Sequence, residues 1–179
     1  MIFETEYFDI KGPVLIKPRI FVDDRGYFFE SFSKRDLEKA GIECEFVQDN
    51  QSFSSKGTLR GLHFQYPPYA QSKLVRVSMG CVMDIAVDIR PGSSTYGRYL
   101  AVELSDQNHH MFFIPQGFAH GYLVLSDQAV FLYKCDNYYQ PTAEGGIKYN
   151  DPAINIKWPD LDSEFIVSAK DNSYPLLPN

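Results

Sequence analysis

Apolar and polar residues alternate along much of the chain. Met83, Ile85, Val87 and Ile89 interleave with Val82, Asp84, Ala86 and Asp88, a period of two that predicts a half-buried β-strand. The same alternation, rich in β-branched and aromatic residues, predicts strands at 14–20, 27–32, 59–64, 73–78, 99–104, 111–114, 121–125 and 130–134. Turn signals punctuate them at Asp24-Arg25-Gly26, Pro67-Pro68, Arg90-Pro91-Gly92 and Pro115-Gln116-Gly117, at the spacing of a sandwich or barrel. One helix is expected near 33–41, with Ser33 as N-cap, Asp36 three residues on, Leu37 and Ala40 apolar, and Gly41 closing the end. The stretch 151–179 is rich in Pro and Asp, has one short apolar run at 165–167, and is expected to wrap the barrel. The pattern predicts one all-β domain spanning residues 1–179, with few helices and no internal repeat.

Composition narrows the function classes. A net charge of −6 argues against non-specific nucleic-acid binding, which needs a basic face. The longest apolar runs are only a few residues, too short to cross a bilayer as a helix. Acidic Glu4 and Glu6 stand where a secretory leader carries basic residues, so a cytoplasmic location is expected. The three cysteines, Cys44, Cys81 and Cys135, are far apart and form no Cys-x-x-Cys pair; neither a disulfide framework nor a zinc site is expected.

Candidate chemistry is concentrated in Gly57-Thr58-Leu59-Arg60-Gly61-Leu62-His63-Phe64-Gln65, followed by Lys73-Leu74-Val75-Arg76. On a regular strand Leu59, Gly61, His63 and Gln65 share one face, and Arg60, Leu62 and Phe64 the other, unless a bulge near Gly57 or Gly61 redirects them. A lone strand histidine is more often a hydrogen-bonded core residue than a catalyst, and a strand Arg or Lys is usually solvated. Arg60, His63, Gln65 and Lys73 together are harder to dismiss, because polar groups facing a barrel interior must be paired or line a ligand cavity. A second histidine, His120, follows the turn at 115–117; His109 and His110 follow a polar loop and are read as surface residues.

Pro115-x-Gly117-x-x-His120 resembles the second signature of the cupin superfamily, and Gly61-x-His63 a remnant of the first. Gln65 stands where metal-binding cupins carry a second histidine, and Lys73 lies where an acidic ligand would be sought; a nearby ammonium opposes a divalent cation. No metal is therefore expected. Over residues 13–177 the chain closely resembles the dTDP-4-dehydrorhamnose 3,5-epimerase family. The resemblance rests on Asp24-Arg25-Gly26-Tyr27-Phe28-Phe29-Glu30, Val47-Gln48-Asp49-Asn50, Leu59-Arg60-Gly61-Leu62-His63-Phe64-Gln65, Lys73-Leu74-Val75-Arg76-Val77, Asp84-Ile85-Ala86-Val87-Asp88-Ile89-Arg90, Phe118-Ala119-His120-Gly121, Leu132-Tyr133-Lys134 and Ser168-Ala169-Lys170-Asp171.

The resemblance implies a cupin-type jelly-roll barrel that epimerises a dTDP-linked 4-keto-6-deoxyhexose at carbons 3 and 5, without cofactor, in the supply of dTDP-L-rhamnose for surface polysaccharide. It implies His63 as the base, paired with Asp171, Tyr133 as the opposing acid, and Lys73 beside the keto oxygen. Substrate contacts are implied for Arg25, Glu30, Gln48, Asn50, Arg60, Lys73, His120, Glu144 and Lys170, with Arg60 and Arg25 on the diphosphate and Phe21, Phe28 or Tyr138 stacking on the base. A homodimer is implied, N-terminal strands adding to the partner's sheet. Three rival readings stand beside this one: a metal-dependent cupin, a non-catalytic sugar-nucleotide binding module, and an epimerase that inverts only one carbon.

Overall fold

The computed structural model describes residues 2–178; Met1 and Asn179 lie outside the described residues. Fourteen strands and two short α-helices run in the order β1 (Phe3–Tyr7), β2 (Val14–Pro18), β3 (Phe21–Asp23), β4 (Gly26–Phe28), α1 (Lys34–Lys39), β5 (Gln48–Ser55), β6 (Thr58–Gln65), β7 (Lys73–Met79), β8 (Cys81–Asp88), β9 (Tyr99–Ser105), β10 (Met111–Ile114), β11 (Phe118–Val124), β12 (Gln128–Cys135), β13 (Glu144–Gly146), β14 (Ile166–Val167) and α2 (Ala169–Ser173). Two sheets form a jelly-roll barrel. One has the order β1-β2-β10-β7-β12-β5; the other has β13-β6-β11-β8-β9, with β14 added to β6. All pairings are antiparallel except β14–β6.

Alternation along the strands fills the space between the sheets. Val75, Val77, Phe112, Ile114 and Phe131 from the first sheet meet Val82, Ala86, Val102, Leu104, Tyr122 and Val124 from the second. Phe112 and Phe131 are almost fully buried, each contributing about 1.5–3 kcal/mol by removal from water. The opposite face of β8 is also covered. Ile85 and Val87 pack with Leu62 and Ala119 beneath Ile147, Ile154 and Ile156. The expectation of a half-buried strand is thus corrected, because the wrapping segment after 146 shields what would otherwise be the solvent face.

Most predicted strands form, with boundaries shifted by a few residues. The segment 27–32 is strand only as far as Phe28. β5 was not expected, because Gln48, Asn50 and Ser52 interrupt any apolar period; they point into a cavity rather than into an apolar core. α1 starts after Ser33, but the Ser33 side chain makes no capping bond. Its carbonyl accepts from the Asp36 and Leu37 amides, while Asp36 takes the Lys39 ammonium at 3.0 Å. The capping box is therefore replaced by an i,i+3 ion pair. The C-terminal stretch wraps as expected through 178, with β14 along β6, the Lys148 amide on the Pro175 carbonyl, and the Leu177 amide on Asp151 at 2.6 Å.

Candidate active site

The inward-facing residues change character along the barrel, from apolar at one end to polar at the other. Two adjoining cavities occupy the polar end. One of about 350 Å³ is bordered by Gln48, Asn50, Gln65, Cys135, Tyr139 and Glu144, among others. One of about 150 Å³ is bordered by Ser52, Arg60, His120, Tyr122 and Phe131. His63, Lys73 and Tyr133 border both. His63 stands on β6 of one sheet; Lys73 on β7 and Tyr133 on β12 belong to the facing sheet. A ligand between the sheets would therefore meet the imidazole from one side and the phenol and ammonium from the other.

A register shift brings Arg60 to the same wall as His63. Across β6 and β11, His120 pairs with His63 but Tyr122 pairs with Arg60, so β6 carries one more residue than its partner in that interval. Such a bulge resets the alternation. Gly61 sits within it at φ +122°, and a Cβ there would come within 2.6 Å of the Gly121 Cα, so only glycine permits the two strands to approach. Of the two alternatives the sequence left open, regular alternation or a bulge near Gly57 or Gly61, the strand takes the bulge at Gly61.

His63 is oriented by a carboxylate from the far end of the chain. Its Nε2 lies 2.8 Å from Asp171 Oδ1, and Asp171 Oδ2 accepts from the Gly61 amide at 3.1 Å. Ser168 caps the short α2 by accepting from the Asp171 amide at 3.0 Å. Burial raises the Asp171 pKa, but the hydrogen bonds from His63 and Gly61 outweigh it and hold the carboxyl below its usual range. Asp171 is thus an anion at neutral pH, able to stabilise an imidazolium.

Lys73 forms no hydrogen bond or ion pair with the described residues. Burial lowers its pKa, opposed by the negative surroundings of Asp84 and Glu144. Burial also raises the Tyr133 pKa, and Arg60 opposes that rise. The phenol therefore keeps its proton well into the alkaline range. His120 pairs with Asp84 at 2.9 Å; burial drives both toward their neutral forms, Asp84 upward and His120 downward, while each partner opposes the other's shift.

Glu144 is a junction. It accepts from the Tyr174 hydroxyl at 2.7 Å and the Tyr139 hydroxyl at 2.5 Å, and pairs with Lys170 at 2.5 Å. Burial raises its pKa, but these three donors prevail and bring it to about 2. Lys170 is consequently committed to Glu144. Gln65 is engaged at both ends of its amide, donating to the Tyr69 and Tyr138 carbonyls and accepting from the Gln140 amide. It fastens the loop that carries Tyr139 and offers nothing to a metal. Among the described residues no three His, Cys, Asp or Glu side chains converge as a metal site would require.

Arg25 and Glu30 border neither cavity. Arg25 lies at the tip of the β3–β4 hairpin, highly exposed and paired with Asp23 at 2.5 Å, and Glu30 is exposed just beyond β4. The structure gathers Gln48, Asn50, Arg60, His63, Lys73, His120, Tyr133 and Glu144 around the two cavities, joins Asp171 to them through His63 and Lys170 through Glu144, and leaves Arg25 and Glu30 outside.

The sequence profile of dTDP-4-dehydrorhamnose 3,5-epimerase matches residues 7–179. The chain belongs to this epimerase family. It is 52% identical over 164 residues to the dTDP-4-dehydrorhamnose 3,5-epimerase of Escherichia coli K12, covering 91% of this chain and 88% of that protein. It is 47% identical over 172 residues to the enzyme of the same name from Methanothermobacter thermautotrophicus, covering 95% and 92%. The crystal structure of dTDP-6-deoxy-D-glucose-3,5-epimerase RmlC from Legionella pneumophila, in complex with dTDP-4-keto-L-rhamnose, superposes with a TM-score of 0.93 at 48% identity, covering 98% of this chain and 93% of that one. Membership of the epimerase family makes this chain an isomerase with the cupin-type barrel the motifs implied.

Several residues of this epimerase were not singled out from sequence. Asp84 and Ser168 are visible as members of matching segments without an assigned role, and Tyr139 and Tyr174 as aromatics in irregular segments. A carboxylate in the middle of a largely apolar strand, between Met83 and Ile85, is the available signal, since an inward Asp in such company must find a partner.

Proposed function

We propose that the protein inverts carbons 3 and 5 of dTDP-4-dehydro-6-deoxy-D-glucose, giving dTDP-4-dehydro-L-rhamnose, with His63 as base and Tyr133 as acid. The observation that carries the assignment of roles is the border common to both cavities, where His63 on one sheet faces Lys73 and Tyr133 on the other. Inversion next to a ketone needs a base on one face, a proton donor on the opposite face, and stabilisation of the enolate oxygen between them. The neighbouring ketone acidifies both carbons, so proton movement alone completes the reaction.

In this reading His63 removes the proton as a neutral imidazole, and Asp171 stabilises the imidazolium that results. Lys73, with no partner among the described residues, holds the developing enolate oxygen in a poorly hydrated pocket, where its charge counts most. Tyr133 returns a proton from the facing sheet. Gln48, Asn50 and Glu144 border the larger cavity and are assigned to the nucleotide-sugar, Arg60 to the diphosphate, and His120 to the sugar pocket. Lys170 contributes through Glu144.

A homodimer is part of the same proposal. β1 and the β3–β4 hairpin present exposed Tyr7, Phe21, Val22, Tyr27 and Phe28, an apolar surface that a second copy would cover. Arg25 and Glu30 stand on or beside that hairpin and away from their own cavity, so they are assigned to the partner's substrate. Sedimentation of the purified protein tests the dimer. The reaction is tested by following the substrate in D2O in the presence of EDTA, with loss of proton signal at carbons 3 and 5 expected; exchange at one carbon only would make the protein a single-carbon epimerase.

A further inference from the structure

His63 has one hydrogen-bond partner among the described residues, Asp171. A single bond at Nε2 fixes that atom but leaves the ring plane free to pivot, so something else must hold the plane. Tyr174, just beyond α2, is placed to do it. Its ring stands edge-on to the imidazole, centroids 5.7 Å apart and planes at 69°. It lies against Gly146, where an added Cβ would come within 2.4–2.5 Å of three ring carbons. Gly146 is the residue paired with His63 across β13 and β6. The ring is therefore seated on the backbone directly beside the base. Its hydroxyl is tied to Glu144 at 2.7 Å, the same carboxylate that holds Lys170, so both neighbours of the Asp171 turn are anchored to one group.

We propose that Tyr174 is a positioning residue for the base, holding the His63 ring plane through a seat that only a glycine at 146 leaves open. The inference rests on His63 being the base. Tyr174→Ala removes the ring and frees the imidazole, so kcat should fall by about tenfold to a hundredfold, the range that small misplacements produce, with KM little changed. Tyr174→Phe keeps the ring and should recover most of that loss, which a hydroxyl-dependent role would not allow. Gly146→Ala displaces the ring and should reproduce the fall in kcat, yet add nothing in a Tyr174→Ala background.

The experiment measures kcat and KM for these four proteins beside His63→Asn, with melting temperature and dTDP binding as controls on folding. An inactive His63→Asn protein together with a normal kcat in Tyr174→Ala overturns the inference and leaves the base assignment standing. A fully active His63→Asn protein overturns the base assignment itself. Should Tyr174→Ala fail to fold, Gly146→Ala alone decides: a normal kcat overturns the proposal, and a reduced kcat at unchanged KM and dTDP affinity supports it.

Discussion

Two histidine–aspartate pairs sit on neighbouring strands, His63 directly opposite His120 in the β6–β11 register, and their surroundings differ almost throughout. The His63 side chain is 35% exposed and opens onto both cavities, whereas His120 is 8% exposed and its Asp84 is sealed from solvent. Asp171 accepts a second bond, from the Gly61 amide, and is held ionised; among the described residues Asp84 bonds only to His120, and burial raises its pKa. In the proposed reaction the open pair gains and passes on a proton, with an anion ready for the imidazolium. The other is closed and buried, suited to giving the pocket a fixed wall. The same two residue types thus take different work according to access and to where the negative charge is stabilised.

The sharpest way to break this contrast is to remove each imidazole in turn. His63→Asn should lower kcat by about a hundredfold to ten-thousandfold, the usual worth of a positioned general base. His120→Asn should cost only about tenfold, expressed mainly in KM, as expected when one hydrogen bond to the sugar is lost. Equal losses in the two variants, measured by steady-state kinetics, would erase the distinction between the pairs.

Lys73 comes next in size. Replacing its ammonium by Lys73→Met should lower kcat by about a hundredfold or more, as loss of an oxyanion donor does. Its pKa is lowered by burial, whereas that of Tyr133 is raised. The ammonium acts only when charged, so activity should fall as pH rises through the lowered Lys73 value, below the 10.5 of a free lysine. Tyr133 keeps its proton beyond its ordinary 10.0. The alkaline limb of the rate profile should therefore stay in place in Tyr133→Phe, at reduced rate, and shift upward in Lys73→Arg.

How much of this contrast could be read from the chain varies residue by residue. The barrel was legible because period-two strands such as 82–89 and turns such as Pro115-Gln116-Gly117 are local signals. β5 was not, since its inward residues serve a polar cavity and erase the apolar alternation. The common wall of Arg60 and His63 depends on one extra residue at Gly61, which the glycine hinted at but could not place. Asp171 lies 108 residues from His63, and nothing local distinguishes it from a solvated acid; the family resemblance alone pointed to it. Arg25 and Glu30 carry the same motif evidence as Gln48 and Asn50 yet lie outside the cavities, because motif order does not fix where a two-stranded hairpin folds relative to the barrel.

The smallest expected effect concerns the strap that supplies Asp171. Glu144, held near 2 in the folded protein against 4.5 for a free carboxyl, contributes stability that is complete above 4.5 and lost as pH falls toward 2. Amide exchange at Asp171 and Asn172, taken relative to the intrinsic rate at each pH, should therefore accelerate across that interval in the wild-type protein. In Glu144→Gln it should already be faster at neutral pH, with little further change arising from this site on acidification.

The most direct measurement is proton NMR of dTDP-4-dehydro-6-deoxy-D-glucose in D2O with the wild-type protein and with His63→Asn, each shown to be folded and to bind dTDP. The wild-type protein should exchange the protons at carbons 3 and 5, and His63→Asn should leave both essentially unexchanged. Exchange at wild-type rates in His63→Asn would contradict the central claim that the open histidine–aspartate pair is the base.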